Sequence, residues 1–155
     1  RCLVASREDS SFAEFLRWSN RQIIITRVYA PHLWRLGLAA HVLYCGTFLL
    51  GLGLLATGEV TLPWRGVIVA LLGAILTLGM AKARLRSVVA RELFPEEAAT
   101  LARYGARYWQ LAPLVPWVML FNFVVAGFSR RIEWRGTQYE LRSMNEVRVL
   151  RRKDP

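Results

Sequence analysis

Recognisable motifs for metal and nucleotide binding are missing from this 155-residue chain. It contains no CxxC, HExxH, GxGxxG or Walker-type loop, so no motif indicates a metal site or a mononucleotide site. Its two cysteines are Cys2, in the opening segment, and Cys45, inside a long apolar run, and this placement excludes a disulfide framework. No tandem repeat of supersecondary length is visible, which argues against a repeat architecture.

Acidic residues are scarce as well. The chain has 11 Asp and Glu against 21 Lys and Arg, a formal net charge of +10, while 54% of its residues are hydrophobic. Such a positive charge is typical of proteins that bind nucleic acid or anionic lipid. The apolar runs decide for lipid, because nucleic-acid modules do not carry stretches of about 20 uncharged residues. We therefore expect an integral membrane protein with no nucleic-acid partner.

The stretch from Ser11 to Tyr29 is polar and cationic along one side. Ser11 is followed three residues later by Glu14, which predicts a capping box and a helix that begins there. Four side chains fall on one face of that helix, at positions i, i+3, i+4 and i+7. They are Glu14, Arg17, Trp18 and Arg21.

This face has two interpretations. Arginine grips a phosphate bidentately, and tryptophan offers a flat apolar surface for a sugar ring or a lipid head, so the helix suits a diphosphate beside an acceptor at a membrane surface. A basic amphipathic helix before a transmembrane span is also the usual form of a juxtamembrane anchor. These residues alone favour the anchor, and both interpretations stay open.

Two apolar runs predict transmembrane helices. Leu36 to Thr57 carries no formal charge, and its His41 is expected to make a hydrogen bond near the membrane interface. Gly66 to Ala81 follows a short loop, Glu59 to Arg65, and ends at a basic cluster. The residues of that cluster are Lys82, Arg84, Arg86 and Arg91. Since Lys and Arg collect on cytoplasmic flanks, this cluster and the cationic side of the first helix should share the cytoplasmic face.

The third apolar run, Leu111 to Phe128, admits two arrangements. A straight span would carry the basic tail to the external side, against the charge rule. Pro113 and Pro116 make a broken or re-entrant segment possible, which would return the tail to the cytoplasm. The sequence leaves the choice open.

Two further elements are predicted around this run. Pro95 with Glu96 and Glu97 is typical of a helix start and predicts a second interfacial helix at about residues 95–110. In the tail, apolar and polar residues alternate around Gly136-Thr137, which predicts a β-hairpin with a type II′ turn there, pairing Trp134 with Tyr139 and Ile132 with Leu141 on one face. The last residues, Asn145 to Pro155, are basic and expected to fray.

The expected fold is therefore mainly α and membrane-embedded. It combines amphipathic interfacial helices with two to three transmembrane or re-entrant helices and a small C-terminal β-hairpin. The expected boundaries are residues 1–10 as the end of a preceding domain, 11–34 as the first interfacial helix, 35–129 as the membrane region and 130–155 as the basic tail with its hairpin.

Glu14-Phe15-Leu16-Arg17-Trp18 resembles the QxxRW signature of membrane-bound family 2 glycosyltransferases. The order of the later parts is most similar to the ceramide glucosyltransferase branch, including a closing segment, Ile132-Glu133-Trp134-Arg135-Gly136 with Tyr139 and Leu141. The resemblance implies an inverting transfer of a sugar from a UDP-sugar to a lipid acceptor at the cytoplasmic leaflet, with a divalent metal, Mg or Mn.

For single residues, the resemblance places Arg17 at the donor diphosphate and Trp18 at the acceptor; Arg21, on the same face, is assigned to the diphosphate with Arg17. The first motif position departs from the family, because Glu14 replaces glutamine. A carboxylate donates no hydrogen bond and repels phosphate, so Glu14 should cap the helix or orient Arg17 or Arg21.

The family's metal-binding DxD and catalytic aspartate belong to an upstream GT-A domain, of which residues 1–10 would be the end. This chain is thus expected to hold no catalytic base and no metal ligand, and to be inactive alone. The alternative is a non-enzymatic membrane protein whose basic amphipathic helices bind anionic lipid or a partner.

Overall fold

The computed structural model of the chain describes residues 11–151, which form a mainly helical fold with a small antiparallel sheet, as predicted. The helices are α1 Phe12–Tyr29, α2 Pro31–Thr57, α3 Leu62–Leu93, α4 Ala98–Leu111 and α5 Val115–Phe128, with 3₁₀ turns at Pro95–Glu97 and Ala112–Leu114. The strands are β1 Arg131–Trp134, β2 Thr137–Leu141 and β3 Val147–Arg151. The expectation for residues 1–10, together with Cys2, lies outside the described residues.

Three helical segments are long and apolar enough to cross a bilayer, which makes the chain a membrane protein. They are Pro31–Thr57, Leu62–Leu93 and Pro95–Phe128, with 27, 32 and 34 residues. A hydrocarbon core of about 30 Å needs only about 20 helical residues, so each segment has length to spare. The second of these segments, α3, begins at Leu62, inside the predicted loop Glu59 to Arg65, and continues through the basic cluster.

The chain divides into two compact units. One comprises Tyr44–Pro116, and the other comprises the described parts of Arg7–Leu43 and Trp117–Pro155. The second unit, which we call the α1–sheet unit, holds α1, the first turns of α2, most of α5 and the sheet.

The core of the α1–sheet unit joins one face of α1 to the end of α5 and to β2. Its buried residues are Ile23 and Ile24 on α1, Phe123 and Ala126 on α5, and Leu141 on β2. Phe123 lies against Gly37 and Gly127 against Trp34, so the end of α5 runs antiparallel along the start of α2. The sheet and α1 therefore lie at the same end of this unit.

Gly37 leaves room for a side chain of α5 to lie against α2. A Cβ at this position would lie 2.5 Å from Cζ of Phe123, whose ring is buried and also contacts the His41 ring, with 5.0 Å between centroids and a tilt of 37°. The imidazole of His41 donates from Nδ1 to the carbonyl oxygen of Gly37 at 2.7 Å, so the predicted hydrogen bond of this histidine is confirmed.

We predict that Gly37→Ala destabilises the fold while Gly46→Ala on the same helix does not. Overpacking costs about 1–3 kcal/mol and exceeds the gain in helix propensity of about 1 kcal/mol. A Cβ at Gly46 meets nothing within 4 Å, so only the propensity gain applies there. Thermal unfolding in detergent should show a lower midpoint for the first variant alone. Equal midpoints for the two variants would contradict the close approach.

The predicted face of the hairpin is correct, but its turn and register are wrong. Ile132 pairs with Tyr139 and Trp134 with Thr137, so the two-residue turn is Arg135-Gly136, one residue earlier than predicted. Both turn residues have positive φ, 49° and 77°, which is the type I′ geometry that matches the twist of a hairpin. The register differs from the predicted one by two residues, which leaves the same side chains on the same face.

The expected fraying of the tail is also wrong for its described part, because Val147–Arg151 forms a third strand on β2. The connecting loop is closed by a backbone hydrogen bond from Arg142 to Glu146 at 3.0 Å and by the Arg142 guanidinium, which pairs with Glu140 and Glu146. The hydrogen bond to Glu140 is the main reason that the pKa of Arg142 is raised. The strand then satisfies backbone groups on the free edge of β2.

Candidate functional site

A polar cleft of about 460 Å³ lies between α1 and the first strand of the sheet. All four side chains singled out in the sequence line it: Glu14, Arg17, Trp18 and Arg21. Helical spacing places them on one face of α1, and the capping box at Ser11 begins the helix so that this face is complete. The far wall comes from the segment Ser129 to Arg135.

The side chains of α1 that line this cleft differ in exposure. Arg17 is exposed and Trp18 is 54% exposed, so both are open to an incoming ligand. Arg21 is half-buried and its guanidinium donates to the carbonyl oxygen of Glu133 on β1 at 3.4 Å. Arg21 is therefore positioned by the sheet, whereas Arg17 donates a hydrogen bond to none of residues 11–151.

The cleft is cationic. Arg131 and Arg135 face Arg17 and Arg21 from the other wall, and the carboxylates are those of Glu14 and Glu133. Four guanidinium groups against two carboxylates leave a formal excess of two positive charges. Guanidinium groups on two facing walls are suited to an anion with several oxygens, such as a diphosphate, because each can bind it bidentately.

Glu14 forms the capping box of α1 together with Ser11. Its carboxylate accepts hydrogen bonds from the backbone N–H and the hydroxyl of Ser11, both at 2.7 Å, while the Glu14 N–H donates to the Ser11 hydroxyl oxygen at 3.3 Å. The predicted capping box is thus confirmed. The Ser11 hydroxyl is the main cause of a lowered pKa of Glu14, followed by the Ser11 backbone N–H.

The described residues contain no group of three or more His, Cys, Asp or Glu side chains able to hold a metal ion. No protein-family model, curated protein or solved structure matches the chain.

Sequence reasoning missed two of the four arginines and a buried amide. Arg131 and Arg135 enter the cleft because the sheet packs on α1, and Arg135 occupies a turn position with positive φ. Asn20 also lines the cleft, and its Oδ1 is buried without a hydrogen-bond partner among the described residues. The alternating tail predicted an apolar face that needs a partner, but nothing in it identified that partner as α1.

A second, apolar cleft of about 440 Å³ lies between α1 and the sheet. The predicted hairpin face supplies one wall, with Ile132, Trp134, Tyr139 and Leu141. The other wall is a stripe along α1 at i, i+4 and i+8: Arg21, Ile25 and Tyr29. Arg21 lines both clefts, so a cation stands at the mouth of an apolar groove that leads towards the start of α2.

We predict opposite outcomes for two replacements of Glu14. Glu14→Gln keeps an acceptor for Ser11 and removes a negative charge from the cationic cleft, so the first turn should stay protected and the cleft should bind a diphosphate probe such as UDP a few-fold more tightly. Glu14→Ala loses the reciprocal cap, and amide hydrogen exchange in the first turn of α1 should become faster. Hydrogen exchange followed by mass spectrometry measures the protection of the first turn, and titration with UDP measures ligand binding.

The pH dependence checks the same cap. Because the folded pKa of Glu14 lies below 4.5, the cap contributes fully above that pH and is lost as the pH falls through the lowered pKa. The Gln variant should lack this acid fraying. A first turn that exchanges alike in wild type, Gln and Ala variants would contradict the role of Glu14.

Proposed function

We propose that this chain is the membrane and acceptor-side portion of a family 2 glycosyltransferase that moves a sugar from a UDP-sugar to a lipid acceptor. The observation that carries the proposal is the polar cleft, where Arg17, Arg21 and Trp18 lie opposite two further arginines. Together with the family-like segments at residues 14–18 and 132–141, this arrangement supports a site for a nucleotide diphosphate beside an acceptor.

In the proposed reaction, the acceptor hydroxyl oxygen attacks the anomeric carbon while the bond from that carbon to the diphosphate oxygen breaks. Negative charge grows on the departing UDP, and Arg17 and Arg21 stabilise it with charge-assisted hydrogen bonds. The hydroxyl proton passes to a base that we expect in the upstream domain. That domain would also bring the divalent metal, whose chemistry is to neutralise diphosphate charge.

The apolar cleft supports a lipid as the acceptor. A hydrocarbon chain along Ile25 and Tyr29 would put its polar head at Arg21, beside Trp18, where the reaction takes place. The orphan Oδ1 of Asn20 is a suitable acceptor for a hydroxyl of the donor or of the lipid head. A flat indole more than half exposed can pack on a sugar ring or lie among lipid heads.

We propose that the active face is cytoplasmic, following the distribution of Lys and Arg. The sheet packs at the same end of its unit as α1, so the chain must cross the bilayer an even number of times between Tyr29 and Arg131. If α2 and α3 both cross the bilayer, residues 95–128 must begin and end on the same side of it. The 3₁₀ break at Ala112–Leu114, which holds Pro113, is a suitable point for that return.

The test is transfer by the complete enzyme. Membranes from cells that express it should move label from one of a panel of labelled UDP-sugars into an extractable lipid, while membranes from cells without it should not. No transfer from any UDP-sugar by folded, correctly inserted protein would overturn the proposal.

A second function is favoured by the exposure of Arg17 and Trp18, which is typical of a juxtamembrane anchor. On that view the same cationic face binds anionic lipid or a partner without chemistry. The two functions differ in what they require of Arg17, because a surface potential depends on charge and a diphosphate site on the shape of the fork.

A further inference from the structure

The unit formed by Tyr44–Pro116 contains a small cleft of its own, between the second half of α3 and α4. Arg84, Ser87 and Arg91 line it from α3, at i, i+3 and i+7 on one face. Gly105 and Trp109 line it from α4. None of these residues belongs to the polar cleft or to the apolar cleft, so a ligand of this small cleft is independent of the proposed glycosyl transfer.

The cleft exists because small residues of α4 face α3. A Cβ at Gly105 would lie 2.9 Å from Oγ of Ser87, so the hydroxyl occupies space that any larger residue would need. Ala102 and Ala106, on the same face of α4, also line the cleft and leave it open between the two arginines.

The charges in the cleft are of one sign. Arg91 donates from Nε to the carbonyl oxygen of Ser87 at 3.3 Å, which holds its side chain in place and leaves its terminal nitrogens for another acceptor. Neither Arg84 nor Arg91 forms an ion pair with a described residue, and no carboxylate lines the cleft. Two guanidinium groups and a hydroxyl thus face the same small space, and no described residue supplies a counter-charge there.

The size and the position of the cleft limit the kinds of ligand that it can bind. The cleft measures about 110 Å³, well below the 300–1,000 Å³ typical of sites for drug-sized ligands, so it suits one small anionic group. Arg84 follows the uncharged run Gly66 to Ala81 by three residues, which is the depth at which lipid phosphates meet a transmembrane helix. Trp109 beside it is the aromatic type that prefers this depth.

We propose that this cleft binds a phosphate group through Arg84, Arg91 and Ser87. Its position at the end of an apolar run favours the phosphate of an anionic phospholipid, and free phosphate is the other source of the same chemistry. A lipid bound there would link α3 to α4 at the membrane surface.

The test is ligand-induced stabilisation of the full chain, purified in detergent. Short-chain phosphatidylglycerol should raise its unfolding temperature, whereas diacylglycerol with the same acyl chains should not. Arg84→Gln and Arg91→Gln should each weaken binding about tenfold or more, because each removes a charge-assisted hydrogen bond. Arg86→Gln removes the same charge from the same helix outside the cleft and should leave binding within about twofold.

Further measurements distinguish lipid phosphate from free phosphate and control for variants that misfold. Stabilisation by inorganic phosphate at the same concentration assigns the site to a soluble ligand, and stabilisation by the lipid alone assigns it to the membrane. Gly105→Ala fills the cleft without loss of charge and should also weaken binding, while Gly79→Ala, with open space around its Cβ, should not.

Three results would overturn the proposal. The first is no stabilisation by either form of phosphate, and the second is equal stabilisation by diacylglycerol. The third is a loss in Arg86→Gln as large as that in Arg84→Gln, because it would show that only the surface potential of the cluster matters.

Discussion

Replacing Arg17 with alanine is expected to lower the turnover of the proposed glycosyltransferase about a hundredfold or more. In the proposed site, this guanidinium meets the negative charge that develops on the departing diphosphate. The loss of such a contact costs about 2–4 kcal/mol of transition-state stabilisation, and each 1.36 kcal/mol is a factor of about ten in rate. The folded protein should be little affected, since Arg17 is exposed, donates no hydrogen bond to a described residue and makes only the smallest contribution to the lowered pKa of Glu14.

Arg17→Lys separates the two candidate functions. Lysine keeps the charge and loses the planar fork, so a bidentate diphosphate site should lose most of its turnover with this replacement. A helix that only holds anionic lipid should tolerate it, because its binding depends on surface potential.

Arg148→Ala is the matched control for Arg17. It removes an exposed arginine of β3 that lines neither cleft. Initial rates of sugar transfer, measured with membranes containing equal amounts of each variant, should fall for the two replacements of Arg17 and stay near wild type for Arg148→Ala. Normal turnover of Arg17→Ala would remove this residue from the site and, with it, the main support for the proposed function.

Features that depend on neighbours along the chain were predictable from the sequence. The capping box needs only Ser11 and Glu14, three residues apart, and it forms as predicted. The apolar runs need only length and composition, and all three lie in helices able to cross a membrane. The apolar face of the tail follows from alternation with period two. It was predicted correctly although the register was not, because the observed register differs from the predicted one by two residues.

Features that depend on which elements meet were not predictable in this way. The third strand is short and exposed, and Leu150 interrupts the alternation of Val147 and Val149 with Arg148, so little in the sequence distinguishes Val147–Arg151 from a frayed end. Whether the turn falls at Arg135-Gly136 or one residue later is a choice between two glycine-containing turns, and type I′ places the glycine second. The polar cleft and the apolar cleft each have a second wall only because α1 packs on the sheet.

Arg27 shows the same limit most clearly. In the sequence it is one more cation on the side of α1 that should face the cytoplasm. In the structure its guanidinium turns inward and donates to the carbonyl oxygens of Ala126, at 2.8 Å, and Ser129, at 3.3 Å. These carbonyls lie in the last turn of α5 and just after it, where the last carbonyls of a helix have no backbone donor within the helix. The guanidinium also lies 5.6 Å from the ring centroid of Trp34.

Arg27→Ala should therefore destabilise the α1–sheet unit by about 2–4 kcal/mol, since it removes two charge-assisted hydrogen bonds and leaves the buried carbonyl of Ala126 without its donor. Arg27→Lys should recover part of the loss, because an ammonium group can reach one carbonyl but cannot stack on Trp34 as a planar group does. Unfolding temperature in detergent and protease sensitivity of the sheet measure the effect.

Arg17 and Arg27, both on α1, make a crossed comparison. Arg17→Ala should lose turnover and keep the unfolding temperature of wild type, while Arg27→Ala should lower the unfolding temperature whatever the chain's activity. The second result depends only on contacts within the α1–sheet unit, so it holds even if the chain is an anchor and not part of an enzyme. An unfolding temperature equally low in both variants would mean that the cationic face of α1 acts as one structural surface, and the separation of a binding arginine from a structural one would fail.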